Sequence, residues 1–404
     1  MKRLLFLLFS GALAALVMAV FVRDMVGGEW FGYQRAFFAT LDKKERRGQS
    51  YGIRQILIPQ LNRADRCTSC HLAIDRPALA LAQQPFTAHP GDYLKTHPVE
   101  QFGCVSCHGG QGQATDARAA HGEVQHWEQP LLRGAYVQAS CGRCHGDVAS
   151  IKAEAPLLAK GRQLFRENGC MGCHALHGVG QTISVELGDI ATKPLQQLDF
   201  TFVEGPHTLA AWLDEHFKNP QQITPGFRQD ELPPGEEEIF PSSMPNYGFT
   251  DEEARALTIY MLSLTDEKLP SNYVVPALPD TTPVFASPVA AGREVFQRFG
   301  CAGCHGADGR GGRANWNYLH GQQVPALTFV KAGYTKEQLK QFIQHGKQPV
   351  DRLDPHRPVP PLYMPSWREK IRGDDLDHLA DYLLSLAPAG VAFPQPSPSE
   401  VHSP

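Results

Sequence analysis

The chain has 404 residues, of which 42% are hydrophobic and 20% charged, and its formal net charge is −4. This length favours two to four domains, and so small a net charge argues against a nucleic-acid-binding protein or one that depends on a strongly charged partner. The 37 Gly and 32 Pro residues are typical of small domains rich in loops.

The segment 1–23 is predicted to form a single-pass anchor in the cytoplasmic membrane. After a basic start, an apolar run of 19 residues extends from Leu4 to Val22. A membrane-spanning helix needs about 17–25 residues, whereas the apolar region of a cleaved signal peptide has about 7–15. The basic end should remain in the cytoplasm. We therefore expect everything after Arg23 to lie on the periplasmic (outer) side of the membrane.

The ten cysteines fall into five pairs with the same spacing. Two residues separate the members of each pair, and a histidine follows each second cysteine. The five motifs are Cys67/Cys70/His71, Cys104/Cys107/His108, Cys141/Cys144/His145, Cys170/Cys173/His174 and Cys301/Cys304/His305. C-x-x-C-H is the signature of c-type haem attachment, in which two thiols bond one porphyrin and the histidine binds its iron. The sequence therefore predicts five covalently attached haems c.

Two other uses of paired cysteines fit this pattern less well. Disulfide frameworks vary their spacings and do not require a histidine after every second cysteine. Zinc sites group four ligands around each metal, whereas here five separate clusters of three candidate ligands occur. The histidines therefore favour haem over both alternatives.

Residues 24–150 are predicted to form a loop-rich module that carries three haems. Its motifs begin at Cys67, Cys104 and Cys141, so each starts 37 residues after the previous one.

The distal iron ligands of this module are predicted to be histidines. No methionine occurs between Met25 and Met171, and imidazole is a common nitrogen ligand for iron. Four further histidines are available, namely His89, His97, His121 and His126. We expect bis-histidine ligation of all three irons, with one of the four histidines left over.

Two stretches with the same order of elements follow, and they are predicted to be domains over residues 151–268 and 286–389. In each, a helix with an apolar stripe leads directly into the motif, a Met-Pro pair comes next, and a final helix closes the domain. The Met-Pro pairs are at Met244 and Met364, and the final helices are predicted at Asp251 to Leu264 and Asp374 to Leu386.

This order of elements resembles class I cytochrome c. The resemblance implies two small helical domains with His174/Met244 and His305/Met364 as axial ligand pairs. Val324-Pro325-Ala326-Leu327 is similar to the family's Pro-x-Leu element, whose carbonyl orients the proximal histidine. The first copy has Val185-Glu186-Leu187-Gly188 at the corresponding place.

Met244 and Met364 are the natural candidates for distal iron ligands, because the other methionines lie elsewhere. Of the seven in the chain, three lie in or beside the anchor, Met171 lies inside a motif and Met261 lies in a helix. A core role beside a proline is the alternative, because methionine fills cores readily. Distal histidines are a further alternative, with His207, His216, His345 and His356 available.

The predicted architecture is mainly α: a transmembrane helix, the loop-rich trihaem module, and two small helical domains similar to class I cytochrome c. The proline-rich segment 269–285 is predicted to be an extended linker, and the tail 390–404 to be disordered.

The leading interpretation of function is electron relay without catalytic residues. The segment from Arg63 to His145, with HPVEQFGCVSCHGGQG at 97–112 and HWEQPLL at 126–132, resembles anchored multihaem cytochromes of bacterial quinol-oxidising complexes, either alternative complex III or bc-type complexes. The resemblance implies other subunits of such a respiratory complex as partners, and a soluble cytochrome or oxidase as acceptor.

The rival interpretation is a multihaem redox enzyme, namely a reductase, a peroxidase or a sulfur-compound dehydrogenase. Such catalysis needs an iron with an open or displaceable distal position. Every motif has a plausible distal ligand within its own segment, and no C-x-x-C-K variant occurs. These observations favour relay, running from lower-potential haems near the membrane to methionine-ligated haems near the carboxyl end, because methionine ligation raises the potential.

Overall fold

The computed structural model describes residues 2–125, 127–227, 229–277, 285–319, 321, 323–348, 352–357, 360 and 362–388. The fold is mainly helical, as predicted, with two short antiparallel β-hairpins. The predicted tail 390–404 and the stretch 278–284 of the predicted linker lie outside the described residues.

The chain divides into two compact units. The first comprises Met1–Ser140 and Leu269–Tyr273, and the second comprises Cys141–Lys268 and Val274–Pro404. The third C-x-x-C-H motif therefore groups with the two tandem stretches.

The helices and strands up to Cys144 are short except at the start. They are α1 (Lys2–Gly27), α2 (Glu29–Thr40), α3 (Lys43–Arg46), β1 (Ile56–Ile58), β2 (Arg63–Asp65), α4 (Tyr93–Thr96), α5 (Val99–Phe102), α6 (Val105–His108), α7 (Ala117–Ala120) and α8 (Gln138–Cys144).

The later elements form two similar series. They are α9 (Pro156–Glu167), β3 (Ala175–Leu176), β4 (Val179–Gly180), α10 (Leu209–Lys218), α11 (Pro220–Ile223), α12 (Asp251–Ser263), α13 (Pro288–Arg298), α14 (Ala302–His305), α15 (Val330–Gly333), α16 (Lys336–His345) and α17 (Asp374–Ser385). The two predicted closing helices are present, and each ends one residue earlier than expected.

The first helix is long, apolar and uncovered. Its segment Lys2–Arg23 has a mean hydropathy of 2.7, and none of it is buried. By length and composition this helix could cross a membrane, and a signal sequence near the amino terminus would meet the same criteria.

In the first unit, α2 provides the apolar surface on which the first motif rests. Phe37 and Phe38 of α2 cluster with Leu72, which follows the first motif. On the same helix, Gln34 is fully buried and its Nε2 donates to the carbonyls of Gly52 (2.7 Å) and Ser69 (3.0 Å). Since a buried amide must be satisfied, these bonds hold the motif against α2.

The two tandem stretches of the second unit share one helix crossing. The helix before each motif packs against the closing helix, α9 on α12 and α13 on α17. A glycine lies at each crossing: a Cβ on Gly161 would lie 2.0 Å from the Ala256 carbonyl oxygen, and a Cβ on Gly292 would lie 1.9 Å from that of His378. Only a residue without a side chain allows the backbones to approach this closely.

Equivalent ring pairs lie beside these glycines. Phe165 meets Tyr260 edge-on at 5.3 Å, and Phe296 meets Tyr382 in the same way at 5.4 Å. Such edge-to-face pairs contribute about 0.5–1.5 kcal/mol beyond the area they bury. The internal repeat of the sequence is therefore also a repeat of packing.

Replacing Gly292 with alanine should destabilise the carboxyl-terminal domain by about 1–3 kcal/mol, because its Cβ would overlap a backbone oxygen of α17. Thermal unfolding of the haem-loaded protein, followed by circular dichroism, measures the effect. Gly333→Ala is the matched control, since a Cβ there meets nothing within 4 Å. Equal unfolding midpoints for both variants would contradict the close crossing.

Candidate haem-binding sites

Every C-x-x-C-H motif forms the same helical turn. In each, the backbone N–H of the histidine donates to the carbonyl of the first cysteine, four residues earlier, at 2.9–3.0 Å. Residues at positions i, i+3 and i+4 of a helical turn lie on one face. The two thiols and the imidazole of each motif therefore share a face. All ten cysteines are half-buried and lie outside any disulfide.

In the first unit, the structure brings two of the four extra histidines to motif histidines. The ring centroids of His71 and His121 are 6.4 Å apart, and those of His89 and His108 are 6.1 Å apart. Two imidazoles that bind one metal from opposite sides have centroids about 6 Å apart, because each metal–nitrogen bond is about 2 Å. Both pairs therefore have the spacing that bis-histidine ligation requires.

The protonation of these motif histidines also suits metal binding. Burial lowers the pKa of His71, and the neighbouring His121 lowers it further. Burial and the neighbouring His89 act in the same direction on the pKa of His108. A histidine must be neutral to bind a metal, so both shifts favour the ligating form.

His97 and His126 are the other two predicted distal ligands. The His97 ring packs edge-on against Phe102, at 5.1 Å, with its Nδ1 3.0 Å from the Thr96 hydroxyl. His126 lies outside the described residues. The ligand of the third motif therefore stays a prediction.

Asp65 joins the first two motifs, although no pattern in the sequence indicates this role. This carboxylate is fully buried. It accepts hydrogen bonds from the backbone N–H groups of Cys67 (3.0 Å), Cys104 (2.7 Å) and Val105 (2.9 Å). It thus caps the start of two motif turns at once, which fixes the first motif relative to the second.

The sulfurs of Cys67 and Cys104 and a carboxylate oxygen of Asp65 lie within 4.8 Å of one another. A thiolate pair with a carboxylate has the donor set of a metal site. Here each sulfur belongs to a different C-x-x-C-H motif, so covalent haem attachment would occupy both sulfurs.

A backbone contact also links the second motif to the residue before the third motif. The Cys107 carbonyl accepts a hydrogen bond from the Ser140 hydroxyl at 2.7 Å, and Ser140 directly precedes the third motif. The role of Cys107 in haem attachment stays a prediction, carried by its place in the motif turn.

Backbone carbonyls orient the motif histidines of the tandem domains. Nδ1 of His305 donates to the Pro325 carbonyl at 2.9 Å, as the Pro-x-Leu resemblance implies. Nδ1 of His174 donates to the Val185 carbonyl at 2.8 Å. The first copy therefore has the same support without the proline, because a carbonyl can come from any residue. In both, Nε2 is left for the iron.

Met244, the predicted distal ligand of the first tandem domain, lies beside a histidine. Its sulfur is 3.1 Å from Nε2 of His216 on α10. Gln221 Nε2 donates to the Met244 carbonyl at 2.6 Å and fixes the loop. The indole of Trp212 stacks on the His216 ring, with centroids 4.6 Å apart. Burial, together with the nearby His174, lowers the pKa of His216 to about 4.

Met364, the predicted distal ligand of the second tandem domain, lies on a loop that packs against the core of that domain. Its carbonyl accepts a hydrogen bond from the Lys347 N–H at 2.7 Å.

The alternative distal histidines have other neighbours. His345 uses Nδ1 to donate to the Gln341 carbonyl of its own helix, and His356 is exposed. In the first tandem domain, the His207 ring stacks on the Phe200 ring, with centroids 4.9 Å apart.

The fourth and fifth motifs contact each other through glycines. A Cβ on Gly169 would lie 2.1 Å from the Gly303 nitrogen, and one on Gly300 would lie 2.2 Å from the Gly172 nitrogen. These glycines occupy equivalent places in the two motifs, so the contact has approximate two-fold symmetry. The backbones of the two motifs approach more closely than any side chain would permit.

Side chains continue this contact. The thiols of Cys173 and Cys304 lie close enough to each other to interact directly. The guanidinium of Arg313 lies over the Tyr247 ring, 4.3 Å from its centre, a geometry that attracts a cation. The two tandem domains are therefore joined at the motifs themselves.

The third motif rests on the first tandem domain. A Cβ on Gly142 would lie 2.8 Å from the Ser263 Cβ at the end of α12. The Cys144 carbonyl accepts from Val275 N–H at 2.8 Å, and Gly146 N–H donates to the Val275 carbonyl at 2.9 Å.

Several buried side-chain nitrogens near the tandem motifs are compatible with a bound haem. Within the described part of the chain, Arg313 Nε, Trp316 Nε1 and His216 Nδ1 are buried without a hydrogen-bond partner. Orphaned buried donors are costly, and the carboxylates of a haem are suitable acceptors for Arg and Trp. Together with the paired imidazoles and the half-buried thiols, they make the sites compatible with covalently bound haem c.

Comparison with known proteins identifies the tandem domains. The model of the family described as Cytochrome c matches residues 158–265 and again residues 289–387, together just over half of the chain. Neither the search of the curated proteins nor that of the solved structures found a match.

His121→Ala and His89→Ala should each convert one haem to a high-spin form that binds carbon monoxide when reduced, because each variant removes the imidazole opposite a motif histidine. Electron paramagnetic resonance and carbon monoxide difference spectra provide the measurement. His356→Ala, which changes an exposed residue, is the control and should leave the spectra unchanged. Unchanged spectra for His121→Ala would show that this residue is not a ligand.

Asp65→Asn should reduce haem content at the first two motifs, because the amide group turns one of the three accepting contacts into a donor–donor clash. Losing a hydrogen bond to a buried charged group costs about 1.5–3 kcal/mol. Intact mass and haem-stained denaturing gels measure the loss, with the exposed Asp75→Asn as control. Full haem content in both variants would argue against this role.

Proposed function

Because the chain belongs to the cytochrome c family, a family of haem-based electron-transfer proteins, we propose that it is a membrane-anchored cytochrome with five haems c. It relays electrons from a quinol-oxidising membrane complex to a periplasmic carrier or a terminal oxidase. Each bound haem supplies an iron that takes up and releases one electron. The protein contributes the attachment, the axial ligands and the spacing.

The contacts between neighbouring motifs carry this proposal. Cys67 and Cys104 lie together at Asp65, and Cys173 and Cys304 lie together at the glycine contact. Relay requires redox groups that are close and fixed in position. Motifs held in contact through backbone hydrogen bonds and glycines meet that requirement.

The inventory of ligands supports relay over catalysis. His121 and His89 stand opposite two motif histidines, and Met244 and Met364 serve the tandem domains in the proposal. A reductase, peroxidase or sulfur-compound dehydrogenase would need an iron without a second protein ligand.

The exposed apolar helix α1 supports membrane attachment. A continuous apolar surface of this size is rarely left in water, and a lipid bilayer covers it in the proposal. The haem domains then lie on the periplasmic side, beside the other subunits of the complex.

The proposal predicts that quinol reduces the haems only in the complex. Protein extracted from membranes with mild detergent should carry partner subunits, and added quinol should reduce its haems. The same chain purified alone should be reduced by dithionite but not by quinol, because it has no quinol-oxidising site of its own in this proposal. Visible absorbance of reduced haem c measures both reactions.

Redox titration of the chain purified alone provides the second part of this test. Three haems should titrate below the other two, since methionine ligation raises the potential. A stable high-spin haem that binds nitrite, cyanide or peroxide rapidly would overturn relay in favour of an enzyme.

A further inference from the structure

The distal side of the first tandem domain contains two donor atoms. The sulfur of Met244 and Nε2 of His216 are 3.1 Å apart. Thioether sulfur and imidazole nitrogen are both established axial ligands of haem iron. One iron can accept only one of them on this side.

The distance between the donors is small enough for exchange. The His216 donor lies 3.1 Å from the Met244 sulfur, so it needs to move by no more than that distance to take the place of the sulfur. Trp212 stacks on the His216 ring and limits its rotation. Met244 lies on a loop, and loops move more readily than helices.

The described residues of the second tandem domain do not show this arrangement. His216 precedes the buried Phe217 of α10, and Phe342 precedes the buried Ile343 at the equivalent turn of α16. Phenylalanine offers no donor atom. His345, one turn nearer the end of α16, uses its Nδ1 within its own helix. The two copies therefore share a fold but differ in the groups beside the distal methionine.

We propose that His216 is an alternative distal ligand, which binds the iron at the His174 site whenever Met244 does not. This rests on the proposed haem binding and extends it. In the exchange the iron–sulfur bond breaks and an iron–nitrogen bond to Nε2 forms. The neutral imidazole carries its one proton on Nδ1, and no electron is gained or lost. Histidine ligation lacks the rise in potential that methionine gives, so the exchange lowers the potential of this site.

Matched methionine variants of the full, haem-loaded chain test the proposal. Met364→Ala should produce one high-spin haem that binds carbon monoxide when reduced. Met244→Ala should remain low-spin, bind no additional carbon monoxide and lose half of the methionine-to-iron charge-transfer absorbance. The double variant Met244→Ala/His216→Ala should be high-spin at the same site.

Two results would overturn the proposal. If Met244→Ala became high-spin in the same way as Met364→Ala, His216 would only position the methionine. If Met244→Ala kept the whole charge-transfer band, Met244 would not be a ligand. Met244→Leu, which conserves volume, replaces the alanine variant if that does not fold. A mass increment of fewer than five haems in the unchanged chain would instead count against the proposed function.

Discussion

The candidate haem sites depend on a single helical turn that recurs five times. Its hydrogen bond, from the histidine N–H to the first cysteine carbonyl, sets two thiols and an imidazole on one face. The surroundings of each turn then decide how it is held. Asp65 caps two turns with one buried carboxylate, and glycines such as Gly169 and Gly300 let two others meet backbone to backbone. Attachment and spacing thus come from the same local geometry.

The differences between the sites lie on the distal side. Histidines face His71 and His108 in the first unit, whereas methionines are the expected partners in the tandem domains. Methionine ligation stabilises the reduced iron relative to histidine ligation and so raises the reduction potential. A chain whose motifs all form the same turn can therefore still hold haems of different potential, along which the electron moves downhill. The protein needs no change in the covalent attachment to achieve this.

Much of this could be predicted from the sequence, because the motifs and helices are local. The five C-x-x-C-H motifs and the closing helices follow from spacing and periodicity. The pairing of His121 with His71 could not be predicted, since four histidines had equal claims. Asp65 stands two residues before Cys67, near enough for its side chain to accept from the Cys67 N–H, but its bond to Cys104 spans 39 residues. The hydrogen bond of His174 to the Val185 carbonyl could not be predicted either, because every residue has a backbone carbonyl.

Packing explains why the tandem domains agree in some places and differ in others. A side chain at Gly161 or Gly292 would overlap the backbone of the closing helix, so replacing either glycine costs stability. The position occupied by His216 in one copy and by Phe342 in the other is partly buried in both copies, and it holds an aromatic ring in each. Packing therefore leaves this position free to acquire a donor atom. The first copy can therefore carry a donor atom at this position and keep the same fold.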